Sequence, residues 1–441
     1  MTREHILVVH RWRDHHARYA DYLDHAAHRV SYVTTALGAE SVPPTAADVV
    51  VVAATDDLAQ LRAAVDRLGR PDRVVALNEG DLDAAAALRD ELGCPGQGPD
   101  ALAPFRDKLT MVTAVAAAGV PVPPTAAAPD TAAVLAFADD EGWPVVVKPR
   151  RGTASRGVRV LRGPADLAGA DLAGADLAGA DLTADLAAEP HLVQAHVPHE
   201  VLHVDGLWTG EALGPWRVSR YVNTCREFTE GVALGSVESD DDAVRAAAGS
   251  LAARVGAALG DGPWVFHLEA FAERTPEGVL LTFLEAGARV GGAEIPFLWR
   301  EVHGIDLMAA AVDIQLGRAP VCADPGLGGI GGWLLVPVPV PTPCVVVESG
   351  LDLADGPYAA VVPAEGSVIP RVGGYEHVGA RFRFSGPTSA EVEAAVGRTL
   401  AALRLRCAPV PEPVPVPEPG WQHVVEQVLE HVPGQEEGMA G

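Results

Sequence analysis

Lysine is almost missing from this chain. Of 33 basic residues only Lys108 and Lys148 are lysine, so 33 − 2 = 31 are arginine. Arginine is forked and always charged, whereas lysine is a compact point charge. Ala, Gly, Val and Arg dominate as under a GC-rich coding bias, which steadily turns lysine into arginine. A lysine that survives such a bias is a candidate for a place where a compact cation meets a phosphate, with chance survival as the alternative. Positive charge is scarce overall: 59 acidic residues leave a net charge of −26. A nucleic-acid binder needs a basic face, so phosphate-backbone binding is excluded as the main task, although a local basic pocket fits inside an acidic protein. The five cysteines, Cys94, Cys225, Cys322, Cys344 and Cys407, are scattered, odd in number and without CxxC spacing. That argues against a zinc site or disulfide framework and for a reducing compartment, the cytoplasm. No uncharged apolar run approaches ~18 residues, so no membrane helix and no membrane partner are predicted. The opening MTREHILVVHRWRD lacks a small-residue cleavage site and reads as a first strand rather than a signal peptide.

What is present is the composition of a folded protein, 48% hydrophobic and 21% charged. At ~100–200 residues per domain, 441 residues hold two to four. Residues 1–104 read as an α/β unit with a parallel sheet. HILVVH at 5–10, DVVVVA at 48–53 and RVVAL at 73–77 are strand-like, and helical patterns fall at 13–27, 56–68 and 81–92. GCPGQGP at 93–99 closes that unit. A helix over 105–119 and another near 130–141 open a second region, 105–200, with strands at 145–148 and 158–161. Inside it the repeat at 165–186 (ADLAG three times, then ADLTA) is too short for a solenoid and reads as a duplicated helix or surface loop. A third region spans 201–405 and includes a β-rich module at 321–385 and a capped helix at 387–404. Residues 406–441 are a Pro-rich spacer followed by a short helix at 421–432.

Three stretches carry chemistry. WPVVVKPRRGTASRGV is an apolar strand that ends on Lys148 and enters a small-residue loop with Gly152 and Gly157. Such a loop turns backbone N–H groups toward phosphate oxygens, with Thr153 and Ser155 adding hydroxyls and Arg156 adding charge. In HLEAFAERTPEGVLLTFLEAGAR, a turn near Pro276–Gly278 places Glu269 and Glu285 on one face of a hairpin, opposite or diagonal. A one-residue slip would separate them. Two carboxylates on one face repel unless a cation lies between them, and Mg²⁺ binds through one or two carboxylates plus nucleotide phosphates. LVQAHVPHEVLHVDGL is a strand, a Pro-containing turn and a second strand. Taken singly, the three also fit a hairpin tip, a solvated strand face and a surface hairpin. Their order is the stronger signal.

That order resembles the ATP-grasp superfamily over roughly residues 5–405, through RVVALNEGDLDAAAALRDELGCPGQ, FRDKLTMVTAVAAAGVPVP, WPVVVKPRRGTASRGV, LVQAHVPHEVLHVDGL and HLEAF…FLEAGARVGGAEIP. The resemblance implies an N-terminal α/β domain, a small lid domain and a C-terminal α+β domain with a β-rich extension, ATP lying between lid and C-terminal domain. It implies that Lys108 and Lys148 contact nucleotide and that Gly152, Thr153, Ser155, Arg156 and Gly157 form the phosphate loop. Gln194, Ala195 and Val197 would form the hinge beside adenine, and Glu200, or Val201 after a slip of one, would fall at the ribose position. Glu269 and Glu285 would ligate Mg²⁺, with Mn²⁺ as a substitute, and Arg289 would steady an acyl phosphate. Gly287 stands where many relatives carry a metal-ligating Asn. The stretch EAGAR is closer to the ESAAR type of the L-amino-acid ligase branch. His267, which shares a face with Glu269, and Gly291 and Gly292 are substrate-side candidates, as are His203, Arg220 and Arg226. The implied activity is ATP-dependent carboxylate–amine ligation through an acyl phosphate, with small-molecule carboxylate and amine partners and a homodimeric state that the family often adopts. A biotin-carboxylase-like carboxylase and a nucleotide-binding subunit without turnover are the alternatives.

Overall fold

The computed structural model describes residues 3–13, 16–153, 156–168, 182–223, 227–228, 230–320, 328–353, 355–370 and 378–410. Ser155, Arg226, Cys225, Cys322, the centre of the 165–186 repeat and the Pro-rich spacer with the helix expected at 421–432 lie outside these residues.

β1 (His5–His10), β2 (Arg29–Thr34), β3 (Asp48–Val51) and β4 (Arg73–Ala76) form a parallel sheet in the order β3-β2-β1-β4. β1 is buried along its whole length, as the continuous apolar run of a two-sided parallel strand requires. Helices Leu58–Leu68 and Leu82–Leu92 cover it, the first capped by Asp57, whose carboxylate accepts from the Ala59 and Gln60 amides. The helix expected over 13–27 shrinks to Tyr19–Tyr22. Asp24 accepts from the Ala26 and Ala27 amides, a local turn that competes with helix. The strand at 29–34 then follows, which the helical reading had left unassigned. The helix expected over 105–119 is two helices, Pro99–Arg106 and Lys108–Ala117. Asp107 breaks them apart by capping the second, accepting from Leu109 and Thr110.

A second sheet is small and antiparallel: β5 (Thr125–Ala128), β6 (Val145–Pro149), β7 (Arg159–Leu161) and β8 (His191–Ala195), in the order β5-β8-β6-β7. Helix Thr131–Glu141 packs on it around Val134, Val145 and Val193.

The third sheet has eight strands. β9 (Glu200–Trp208), β10 (Leu213–Tyr221), β11 (Leu234–Glu238), β12 (Trp264–Thr275), β13 (Gly278–Gly287) and β14 (Ile330–Val336) are joined by β16 (Ala359–Val361) and β18 (Ala380–Gly386), in the order β13-β12-β9-β10-β11-β14-β18-β16. β15 (Cys344–Leu351), β17 (Val368–Ile369) and β19 (Leu403–Pro409) make a separate three-stranded sheet. The β-rich stretch at 321–385 is therefore shared between two sheets, and three of its strands complete the eight-stranded one. Helix Asp242–Leu259 lays Leu251, Val255 and Leu259 into a core that also takes in Leu7, Phe105, Val115, Trp264 and Phe266. Each such side chain contributes ~1.5–3 kcal/mol on full burial, so the parallel sheet, the 99–117 helices and the large sheet are held as one body. Among the described residues no helix is long and apolar enough to cross a membrane.

Candidate active site

The hairpin β12–β13 places Glu269 directly opposite Glu285. The sequence reading reached that pairing through a wider turn than the one that forms. The turn is two residues, Pro276–Glu277, with Thr275 opposite Gly278 and Ala270 opposite Phe283. Continued at that count, Glu269 would face Leu284, and Glu285 would point to the other side of the sheet. A β-bulge at this point leaves Leu284 unpaired and moves Glu285 opposite Glu269. Both carboxylates line a cavity of about 310 Å³ between the large sheet and the small one.

The facing wall is cationic. Lys148, near the end of β6, is 6% exposed and donates to Gln194 Oε1 at 3.1 Å. Burial pushes its ammonium down to about 8, against the pull of Glu285. Lys108 is the first residue of its helix. Its Nζ donates to the Gly152 carbonyl at 2.9 Å and lies 3.5 Å from Glu285 Oε2. Gly152, Thr153 and Arg156 line the same cavity. Gly157 has φ +70°, and a Cβ there would press on Pro149, so the loop needs glycine at this position. Asp107 ties the two lysine-bearing elements together: it caps the Lys108 helix and accepts from Arg150 Nε at 3.0 Å.

The cavity also has apolar lining, from Val146, Val158, Val160, Val201, Phe271 and Leu284, and Ala195, His196, Val197 and His199 line it as well. Gln194 lines it too, yet its amide is already engaged, by Lys148 on the oxygen and by Thr125 Oγ1, which accepts from Nε2 at 2.9 Å. Of the two residues expected at the ribose position, Glu200 does not line the cavity and Val201 does. Glu200 is exposed at the start of β9, and strand alternation turns Val201 to the cavity instead.

Arg289 approaches from the parallel-sheet side. Its Nε donates to Glu79 Oε2 at 2.6 Å, and Glu79 also accepts from Arg106 at 2.6 Å. Burial opposes both charges, yet Glu79 raises the Arg289 guanidinium above its ordinary value, and the two arginines hold the Glu79 carboxyl below its own. Gly287 makes room for this: a Cβ there would sit 3.3 Å from Arg289 Cγ. Glu79 was not singled out by sequence reading. Its only signal was an acid directly after a buried strand, in RVVALNEG.

His267 is buried beside Glu269, its Nδ1 2.8 Å from Asp205 Oδ1 and its Nε2 3.6 Å from Glu269 Oε1. Burial disfavours its charge, but Asp205 and Glu269 raise the imidazole to about 9. Burial would likewise raise Asp205 and Glu269. Flanking histidines instead hold both carboxyls well below the usual carboxylate range. Gly291 does not open onto the cavity: it is buried against Asp205 and His267, whereas Gly292 is exposed. His203 lies on the same face as Glu269, opposite it in register. Arg220 lies one residue out of phase, on the other face, where it pairs with Glu393 at 2.7 Å.

Residues 107–188 match the family described as carbamoyl-phosphate synthase L chain, ATP binding domain. Over 92% of the chain the structure superposes on 99% of an L-amino acid ligase from Bacillus licheniformis, with a TM-score of 0.68 and 16% identity. This is the ATP-grasp fold. The same ATP-grasp arrangement is found in biotin carboxylase from Campylobacter jejuni, with a TM-score of 0.65, 14% identity and 92% of each chain covered. In sequence, the chain is 23% identical over 275 residues to an L-arginine-specific L-amino acid ligase of Bacillus subtilis. That match takes in 62% of this chain and 64% of the ligase, just short of two thirds of the relative's length.

Proposed function

We propose that this protein is an ATP-dependent ligase that joins a carboxylate to an amine through an acyl phosphate, with an amino acid as a substrate. One observation carries the reading. The chain's only two lysines line the same cavity as a cross-strand carboxylate pair, together with apolar side chains. The apolar side chains suit a flat base. Lys148, Lys108, Gly152, Thr153 and Arg156 would hold the phosphates. Glu269 and Glu285 suit Mg²⁺: they are hard oxygen donors, brought opposite one another in a pairing that is repulsive without a cation. When bound, that cation would neutralise charge on the phosphoryl group being transferred.

The rest is positioning, which is most of phosphoryl-transfer catalysis. Lys148 is already desolvated, so its charge acts at full strength on a phosphate oxygen. Arg289, braced by Glu79 and Arg106, would steady the acyl phosphate, and the amine nitrogen would then attack the acyl carbon and expel phosphate. Gly152, Thr153 and Arg156 would lie against the nucleotide, and a site closed to water would protect the intermediate. The amino-acid substrate is supported by the names of the two Bacillus ligases, which share the fold and, for one of them, part of the sequence.

The test is phosphate release from Mg-ATP with pools of the common amino acids, followed by mass spectrometry. Amino-acid-dependent release with a new amide mass, abolished in Lys148→Ala, is the expected result. Release that requires bicarbonate and biotin instead would replace ligation with carboxylation. ATP binding with no release under any addition would reduce the protein to a nucleotide-binding subunit.

A further inference from the structure

Glu269 is one member of a polar rung that runs through the middle of the large sheet. Register pairs Glu285 with Glu269, Glu269 with His203, His203 with Ser219, and Ser219 with Glu238, across five adjacent strands. His203, Ser219 and Glu238 are each no more than 5% exposed, and Ile295, Leu298 and Trp299 of the helix Ile295–Val302 pack over the inner part of this face. Polar groups in such a place are costly unless fully partnered. Glu238 is met by His303 Nε2 at 2.6 Å and accepts from the Gly331 amide at 2.7 Å, whereas His203 belongs to a chain that leads to Glu269.

Asp205, 2% exposed, stands at the centre of that chain. Its Oδ2 lies 2.6 Å from His203 Nδ1 and its Oδ1 2.8 Å from His267 Nδ1. A carboxylate only accepts, so both Nδ1 atoms carry their protons and donate. The far nitrogen of His203 meets Ser236 Oγ at 2.6 Å, which fixes that ring. The far nitrogen of His267 faces Glu269 Oε1 at 3.6 Å, and the Tyr221 hydroxyl donates to the same oxygen at 2.8 Å. Oε1 thus receives both contacts, and Oε2 is the oxygen the network leaves to a ligand in the cavity.

Two histidines and a carboxylate with ligand atoms within 4.8 Å have the composition of a metal site in their own right. The bonding argues otherwise. Both Nδ1 atoms and both Asp205 oxygens are taken up by each other, and the two Nε2 atoms serve Ser236 and Glu269. Gly291 seals the arrangement, since a Cβ there would lie 2.5 Å from Asp205 Oδ1 and 3.0 Å from His267 Nδ1.

We propose that Asp205, backed by His203 and Ser236, is a positioning residue that orients His267 and through it the oxygen that Glu269 offers to a divalent cation. This rests on the reading of Glu269 as a metal ligand, but not on turnover. Outer-shell partners of this kind typically change metal affinity 10–100-fold.

The experiment is a Mn²⁺ titration of the full-length protein by electron paramagnetic resonance, with a non-hydrolysable ATP analogue present. Nucleotide affinity is measured separately in EDTA. Asp205→Asn keeps size and shape but loses an acceptor. It is expected to weaken Mn²⁺ binding at least tenfold while nucleotide affinity in EDTA moves less than twofold. Gly291→Ala keeps every polar group and is expected to weaken Mn²⁺ binding in the same way. If Asp205→Asn fails to fold, Ser236→Ala and Tyr221→Phe carry the test, each with an expected loss of at least threefold. Mn²⁺ affinity within twofold of wild type in the folded variants overturns the inference. So does a bound metal that survives Glu269→Gln with Glu285→Gln and is lost with Asp205→Asn, because the histidine cluster would then be the metal site. A wild-type protein that binds no Mn²⁺ beside nucleotide removes the metal reading of Glu269 first and the inference with it.

Discussion

Glu269 and Glu285 project from neighbouring strands of an eight-stranded sheet, while Lys148 and Lys108 reach the same cavity from a short strand and the first turn of a helix. The acids owe their place to register: one residue of slip moves Glu285 to the far side of the sheet. The lysines owe theirs to reach, since a four-carbon stem tolerates small backbone shifts. The lysines also differ from each other. Lys108 shares its charge with a backbone carbonyl and Glu285, whereas buried Lys148 has a neutral amide as its close partner. The acid wall is therefore fixed in geometry, and among the described residues the basic wall holds one charge, on Lys148, whose close partner is neutral.

Glu285→Leu strikes the acid wall directly and has the largest expected effect. One carboxylate would leave the cavity, and Mn²⁺ affinity in the presence of nucleotide would fall more than ~100-fold, whereas deleting the unpaired Leu284 would let the outer count carry Glu285 opposite Glu269 and cost only a few fold. A loss of metal affinity on deleting Leu284 as large as that of Glu285→Leu would show that the bulge itself, rather than the facing of the two acids, makes the site. Next comes Lys148→Met, for which two opposite effects are expected. A charge-assisted contact contributes ~1.5–3 kcal/mol, so nucleotide affinity should drop roughly 10–100-fold by calorimetry. Yet a buried ammonium held at about 8 rather than 10.5 costs the fold ~3 kcal/mol at neutral pH, so the ligand-free variant should melt higher than wild type. A lower melting temperature would contradict the account of Lys148.

The same shift has a pH signature. With Glu285, Lys108 and Glu269 around it, folded Lys148 releases its proton at about 8 and the unfolded chain does so near 10.5. The cost is full below pH 8 and fades between 8 and 10.5, so wild-type stability relative to Lys148→Met should rise over that window in urea titrations. A flat difference would mean that the ammonium is well solvated. The smallest effect belongs to Lys108→Met. Its partly exposed ion pair is worth ~1 kcal/mol or less, so nucleotide affinity should fall roughly threefold to tenfold with no gain in melting temperature. Equal losses at the two lysines would erase the distinction between them.

Much of this was legible in sequence because it is local. Lys148 closes an apolar run, glycines follow within ten residues, and two acids flank a turn signal. The bulge was not legible, since nothing in the order of Phe283, Leu284 and Glu285 marks which residue goes unpaired. The choice between Glu200 and Val201 was not legible either, since it depends on which phase of β9 faces the cavity. The Asp205 chain was hidden for another reason. Asp205 and His267 are 62 residues apart, and His203 and Ser236 33 apart. Only the strand order β12-β9-β10-β11 makes them neighbours. The lost helix at 13–27 has a local cause, the Asp24 turn, which outweighed a helical pattern.

The hairpin at 264–287 also carries a rule of parity. Its turn length and its bulge are two odd-or-even choices whose sum decides whether the acids meet. At a constant residue count between the acids, a turn redrawn from two residues to three keeps the pair only if the bulge is removed with it. Alignments across this segment should therefore count residues modulo two before they equate one glutamate with another.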